Sequence, residues 1–159
     1  MKKSIYFISL LIFFIGCSNK GVEIKRVYSL YGSWHTKEQK AINNNIKADI
    51  TIKEQFFKDG RLISSKWYNF KDNSGKNIGE YYITKEFRFN KENNIIKAKF
   101  VRCSTGITKP LKSSNLGYKE LSNMCQNQQR SNKITAKEYK IVGNKLYIGS
   151  RVYTKEALF

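Results

Sequence analysis

The chain has 159 residues, 30 Lys and Arg against 12 Asp and Glu for a formal net charge of +18, and 22 aromatic side chains among Phe, Tyr and Trp. This length suits one domain with its own core and leaves a second cramped. A single histidine and three cysteines exclude metal sites built from several His or Cys ligands, and no CxxC redox pair is present.

The chain opens with Lys2 and Lys3, then an apolar run from Ile5 to Ile15, then Gly16 and Cys17. Two positive charges before a short apolar segment are the layout of a secretory signal. A permanent helical span needs about 20 apolar residues, so residues 1–16 are expected to be a signal helix that is cleaved rather than retained. Phe14-Ile15-Gly16-Cys17 resembles the lipobox of bacterial lipoproteins, with Phe14 where Leu is usual. The resemblance implies a diacylglyceryl group on the Cys17 thiol and cleavage between Gly16 and Cys17. It implies a membrane-anchored envelope lipoprotein, with palmitate a further acyl group on the new amine. Two chains give stable anchoring where one gives only marginal binding. Ser18 follows the cysteine, and Asp, the inner-membrane retention signal of enterobacteria, is not there. In a diderm cell the expected location is therefore the outer membrane.

Cleavage would remove two lysines and leave about +16 on the exported part, spread along the chain. Such charge attracts anionic surfaces and is screened over about 8 to 10 Å, and an AT-rich coding sequence would also produce it. Nucleic acid is not an expected partner, because an exported protein seldom meets it and no recognisable binding motif is present.

Residues 17–25 read as a polar lipidated tether, and residues 26–159 as one β-rich domain. Val27, Tyr28, Leu30, Tyr31 and Trp34 open the apolar pattern. Thr36 and Gln39 have capping-box spacing, so the polar stretch from Thr36 to Lys47 predicts a short helix or a long loop. From Ala48 the period becomes two, with Ile50, Ile52 and Phe56 on one face. Asp59-Gly60 predicts the turn of a hairpin whose second strand is Leu62 to Phe70. After a polar loop at Asp72 to Lys76, Tyr81, Ile83, Phe87 and Phe89 line one face. Asn90 to Asn94 predicts a turn, and Ile96, Ala98 and Phe100 return. Residues 103–133 predict a long loop with one or two helical turns around Tyr118, Leu121, Met124 and Cys125. Strand character resumes from Ile134 to Val142, turns at Gly143-Asn144, and ends with Leu146, Ile148, Val152 and Tyr153.

With Cys17 given to lipid, Cys103 and Cys125 remain as an even pair in an oxidising compartment, where a structural disulfide is expected and two reduced core thiols are the alternative. Seven or eight strands joined mostly by short turns predict an all-β domain, an antiparallel barrel or a related β-sandwich.

Gly32-Ser33-Trp34, the turn Phe57-Lys58-Asp59-Gly60 and the closing Val142-Gly143-Asn144-Lys145-Leu146-Tyr147 together resemble the small lipocalin-like lipoproteins of bacteria. The resemblance implies a lipocalin-like up-and-down barrel with Gly32 and Trp34 at its closed end and Arg151 as the late arginine packed over the indole. It also implies a non-enzymatic binding domain, for an apolar ligand in the barrel mouth. The alternative is an envelope protein-interaction or inhibitor module using the basic surface and residues 103–133.

Nothing spells out a reaction. His35 reads as a structural or solvent-facing imidazole, and no Gly-x-Ser-x-Gly turn accompanies it. The carboxylate pairs Glu80 with Glu86 and Asp49 with Glu54 read as solvated, and the odd offset of the second pair puts its members on opposite faces. No catalytic residue, metal or cofactor is expected.

Overall fold

The protein is seen in a computed structural model that describes residues 28–111, 122–123, 125–127 and 133–156. The signal helix, the tether with Cys17, and Tyr118, Leu121 and Met124 lie outside the described residues. Eight strands follow in order: β1 (Gly32–Asn43), β2 (Ile46–Phe56), β3 (Arg61–Asp72), β4 (Asn77–Glu92), β5 (Ile95–Lys109), β6 (Ile134–Val142), β7 (Lys145–Ile148) and β8 (Arg151–Lys155). Each pairs antiparallel with the next, and β8 returns to β1, so the domain is a closed up-and-down barrel rather than a sandwich. Closure removes free sheet edges at the levels where all eight strands pair.

The turns follow from local chemistry. Gly60 has φ 81°, a value that favours glycine, and the Asp59 carboxylate accepts from the Arg61 backbone N–H at 3.0 Å. The Gly60 carbonyl accepts from the Phe89 N–H at 2.8 Å, which ties this turn to the end of β4. Between β3 and β4 the Asp72 carboxylate accepts from the backbone N–H groups of Ser74 and Lys76 at 2.9 and 3.0 Å.

Two expectations are corrected. The stretch from Thr36, expected as helix or loop, continues β1 to Asn43 and pairs with β2 through Lys40↔Ala48 and Ala41↔Lys47. It lacks apolar alternation because its inner face meets a polar interior and its outer face meets solvent, so neither face needs an apolar residue. The loop expected from Cys103 begins later, since β5 runs to Lys109 and pairs with β4 as far as Glu80↔Lys109. Among the described residues, helix is found only at Ser122, Asn123 and Cys125–Asn127.

The barrel wall is uneven in height. β6 meets β5 only from Ile95↔Glu138 to Lys99↔Ile134, and β8 meets β1 only at Trp34↔Lys155 and His35↔Thr154. Strands β1 to β5 therefore rise above the short staves β6 to β8. Cys103 lies on β5 beyond its last pair with β6, and it is bonded to Cys125, with 5.4 Å between the Cα atoms. The disulfide thus secures the part of β5 that β6 does not reach.

The closed end is packed by Trp34, Phe56, Leu62, Phe89 and Leu146, with Phe56 and Phe89 edge to face at 5.3 Å. The Trp34 indole N–H donates to the Leu30 carbonyl at 2.7 Å. The Lys155 ammonium lies 4.4 Å from the indole ring centroid and donates to the carbonyls of Ser29, at 3.1 Å, and Tyr31. Gly32 has φ 109°, and a Cβ there would stand 2.8 Å from the Lys155 ammonium. This explains the Gly-x-Trp spacing physically: the glycine takes the left-handed bend and leaves room for the cation that covers the tryptophan. The cation over Trp34 is thus Lys155 rather than Arg151, which lies at the other end of β8 and pairs with Glu38.

Candidate functional site

Inward positions above this floor should be apolar in a simple packed barrel. Instead, the inner series of several strands carries a charge. On β2 it runs Ile50, Ile52, Glu54, Phe56; on β3, Leu62, Ser64, Lys66, Tyr68, Phe70; on β4, Tyr81, Ile83, Lys85, Phe87. Register brings these together, because Glu54 is opposite Ser64, Ser64 opposite Lys85, and Lys66 opposite both Ile52 and Ile83. Lys137 on β6 and Arg151 on β8 complete a belt at mid-height.

The belt borders a cavity of about 250 Å³. One wall is apolar, formed by Leu62, Ile83, Phe87, Ile96, Ala98 and Ile148, and the rest is polar. Thr135 and Lys137 line the cavity yet are exposed, which places its mouth beside the short stave β6. Above it, the ring of Phe70 meets that of Tyr81 at 5.3 Å, and the Tyr81 hydroxyl accepts from the Leu111 N–H at 3.2 Å.

The carboxylates of the belt differ in environment. Glu38, on β1, accepts from Arg151 Nε at 2.5 Å and Nη2 at 3.5 Å, a forked pair that joins β8 to β1 above their last backbone contact. The Arg151 hydrogen bond holds the Glu38 carboxyl below the usual range. Glu54 accepts from the Ser64 hydroxyl at 2.9 Å. Burial nevertheless pushes its carboxyl up to about 7, against that hydrogen bond and the neighbouring Lys66. Burial, and then Arg151, push the Lys66 ammonium down, and burial with the Glu54 charge pushes the Tyr153 phenol up to about 12.

A pH dependence follows from Glu54. Between its ordinary value of 4.5 and about 7 the folded state keeps a proton that the unfolded chain has lost. Its contribution is therefore complete below the first value and is lost as pH rises through the second. The full shift is worth about 3 kcal/mol, and the polar cavity wall reduces this to about 1 to 2 kcal/mol. Urea unfolding at pH 5 and pH 8 should show Glu54→Gln losing less stability than the native chain by that amount; equal losses would refute the assignment.

The other sequence candidates lie apart from the belt. His35 is on β1 opposite Lys53 and Thr154. Asp49 pairs with Lys71 at 2.7 Å, and Glu86 pairs with Arg102 at 2.7 Å, while Glu80 hydrogen-bonds Asn77 and Thr108. Neither carboxylate pair converges across the cavity. Gly32 and Trp34 build the floor, and of the earlier candidates Arg151 and Glu54 reach the cavity, where Glu54 is buried rather than solvated as expected because its strand position faces the barrel interior.

The fold and site together define a closed eight-stranded antiparallel barrel, consistent with a lipocalin-like one, around a small polar-apolar cavity. No family model matches the chain. Comparison with the curated proteins finds no similar sequence.

Proposed function

We propose that the protein is a lipoprotein of a bacterial envelope, anchored through Cys17, whose barrel holds a small molecule without transforming it. The cavity carries this reading: it is internal, has one apolar wall and one polar wall, and opens beside β6. Small-molecule sites combine an apolar lining with placed polar groups, and this cavity has both, with a larger polar share than usual. The anchor rests on the resemblance of residues 14–17 to a lipobox, and the outer membrane is its proposed location in a diderm cell.

Native mass spectrometry of the protein extracted from its membrane tests both parts. The expected spectrum carries a diacylglyceryl increment on Cys17 and a further small, non-covalent mass, and Cys17→Ser loses the first and its membrane association together. A Cys17→Ser protein that stays acylated and membrane-bound would overturn the anchor; an extracted barrel that never carries or takes up a small molecule would overturn the binding role. An interaction or inhibitor role is the second reading, favoured by Trp67, which is 43% exposed on β3 opposite Tyr82 of β4.

A further inference from the structure

We infer that the cavity selects a small anionic amphiphile, with a carboxylate or phosphate head in the charged belt and an apolar body against Ile83, Phe87 and Ile96. This inference rests on the reading of the cavity as a binding site and adds the sign of the ligand's charge. The argument is one of charge balance in a confined space. Leaving Lys85 aside, the cations Lys66, Lys137 and Arg151 face, among the described residues, only the carboxylates Glu38 and Glu54. Glu38 is already committed to Arg151. Lys66 makes no salt bridge among the described residues, although it is half-buried and points into the cavity. Desolvated positive charge in excess of its partners is costly and is relieved by an anion brought into contact with it.

Geometry fixes where each end of the ligand goes. Lys66 stands at the level of Ile83 across the β3–β4 ladder, so head and body have adjacent contacts. Lys137, exposed at the mouth, meets an arriving anion first. Ligand cavities commonly run about 300 to 1,000 Å³, and this one, at about 250 Å³, fits a short chain or one ring rather than a two-chain membrane lipid.

Isothermal titration of the intact protein in phosphatidylcholine nanodiscs, with empty nanodiscs as the blank, provides the test. The probes are hexanoate, hexyl phosphate, hexanol and hexylammonium. Hexanoate or hexyl phosphate is expected to bind at least tenfold more tightly than hexanol, and hexylammonium not at all. The better of the two anions tells a carboxylate from a phosphate ligand. Lys66→Met, which keeps the length of the side chain and removes its charge, should cost the anions about tenfold and leave hexanol unchanged; Lys66→Arg should restore most of the loss. Hexanol binding as tightly as the anions would overturn the charge selection and leave the pocket standing. Failure of all four probes would overturn both, and an unchanged anion affinity in a folded Lys66→Met protein would remove Lys66 from the site.

Discussion

Trp34→Ala is expected to lower stability by about 3 to 5 kcal/mol, the range for removing a large buried aromatic from a core. Trp34 is fully buried at 0% exposure, and its loss empties the centre of the floor formed with Phe56, Phe89 and Leu146. Two polar consequences add to the void. The Leu30 carbonyl loses the indole N–H that it accepts at 2.7 Å, and the Lys155 ammonium loses the ring that it covers at 4.4 Å. Since whole domains are stable by about 5 to 15 kcal/mol, this one change removes a large share. Trp34→Phe keeps a ring under Lys155 and forfeits the N–H, so it should cost about 1 to 2 kcal/mol. Urea unfolding of the two variants beside the native chain measures the difference. A cost under 1 kcal/mol for Trp34→Ala would mean that the floor is not what holds the barrel shut.

The second large effect belongs to the Cys103–Cys125 disulfide. It closes a sequence separation of 22 residues, for which the chain-entropy model gives about 3 kcal/mol. The double variant Cys103→Ser, Cys125→Ser should lose about that much in urea, and reducing the native protein should bring it to the same midpoint. The loss should be local as well as global, because β5 beyond Lys99 has β4 on one side and no pair with β6 on the other. Amide exchange at Val101 to Lys109 should therefore accelerate more than exchange in the β2–β3 hairpin. Two free thiols in the native protein, or a double variant as stable as the parent, would refute the role.

The strands that the sequence displays best are those whose two faces differ. Ile50, Ile52 and Phe56 against Thr51, Lys53 and Gln55 make β2 plain, and Asp59-Gly60 and Gly143-Asn144 mark hairpin turns where the structure has them. β1 was hidden for the opposite reason: from His35 to Lys40 both of its faces are polar, and Ala41 and Ile42 beyond are exposed, so no period survives. The belt was legible and easily overlooked. In each inner series the charge stands where an apolar residue should be, Glu54 between Ile52 and Phe56, and Lys85 between Ile83 and Phe87. An interrupted alternation of this kind, repeated at the same height on neighbouring strands, is a signal for a polar cavity. What alternation cannot supply is contact between distant strands. The Arg151–Glu38 pair joins residues 113 apart in sequence, and the choice of Lys155 over Arg151 as the cation on Trp34 depends on how far β8 slides along β1.

The seam between β8 and β1 is also the shortest joint of the barrel wall. Every other joint between neighbouring staves is a ladder of at least four backbone pairs, whereas β1 and β8 share two, supplemented by the Glu38–Arg151 fork. Just past β8 the seam is reinforced by the Glu156 N–H, which donates to the Ser33 carbonyl at 2.9 Å, and by the Lys53–Glu156 ion pair at 2.8 Å. The Glu38–Arg151 salt bridge at the seam thus extends by a side-chain tie a joint that the backbone holds at two pairs.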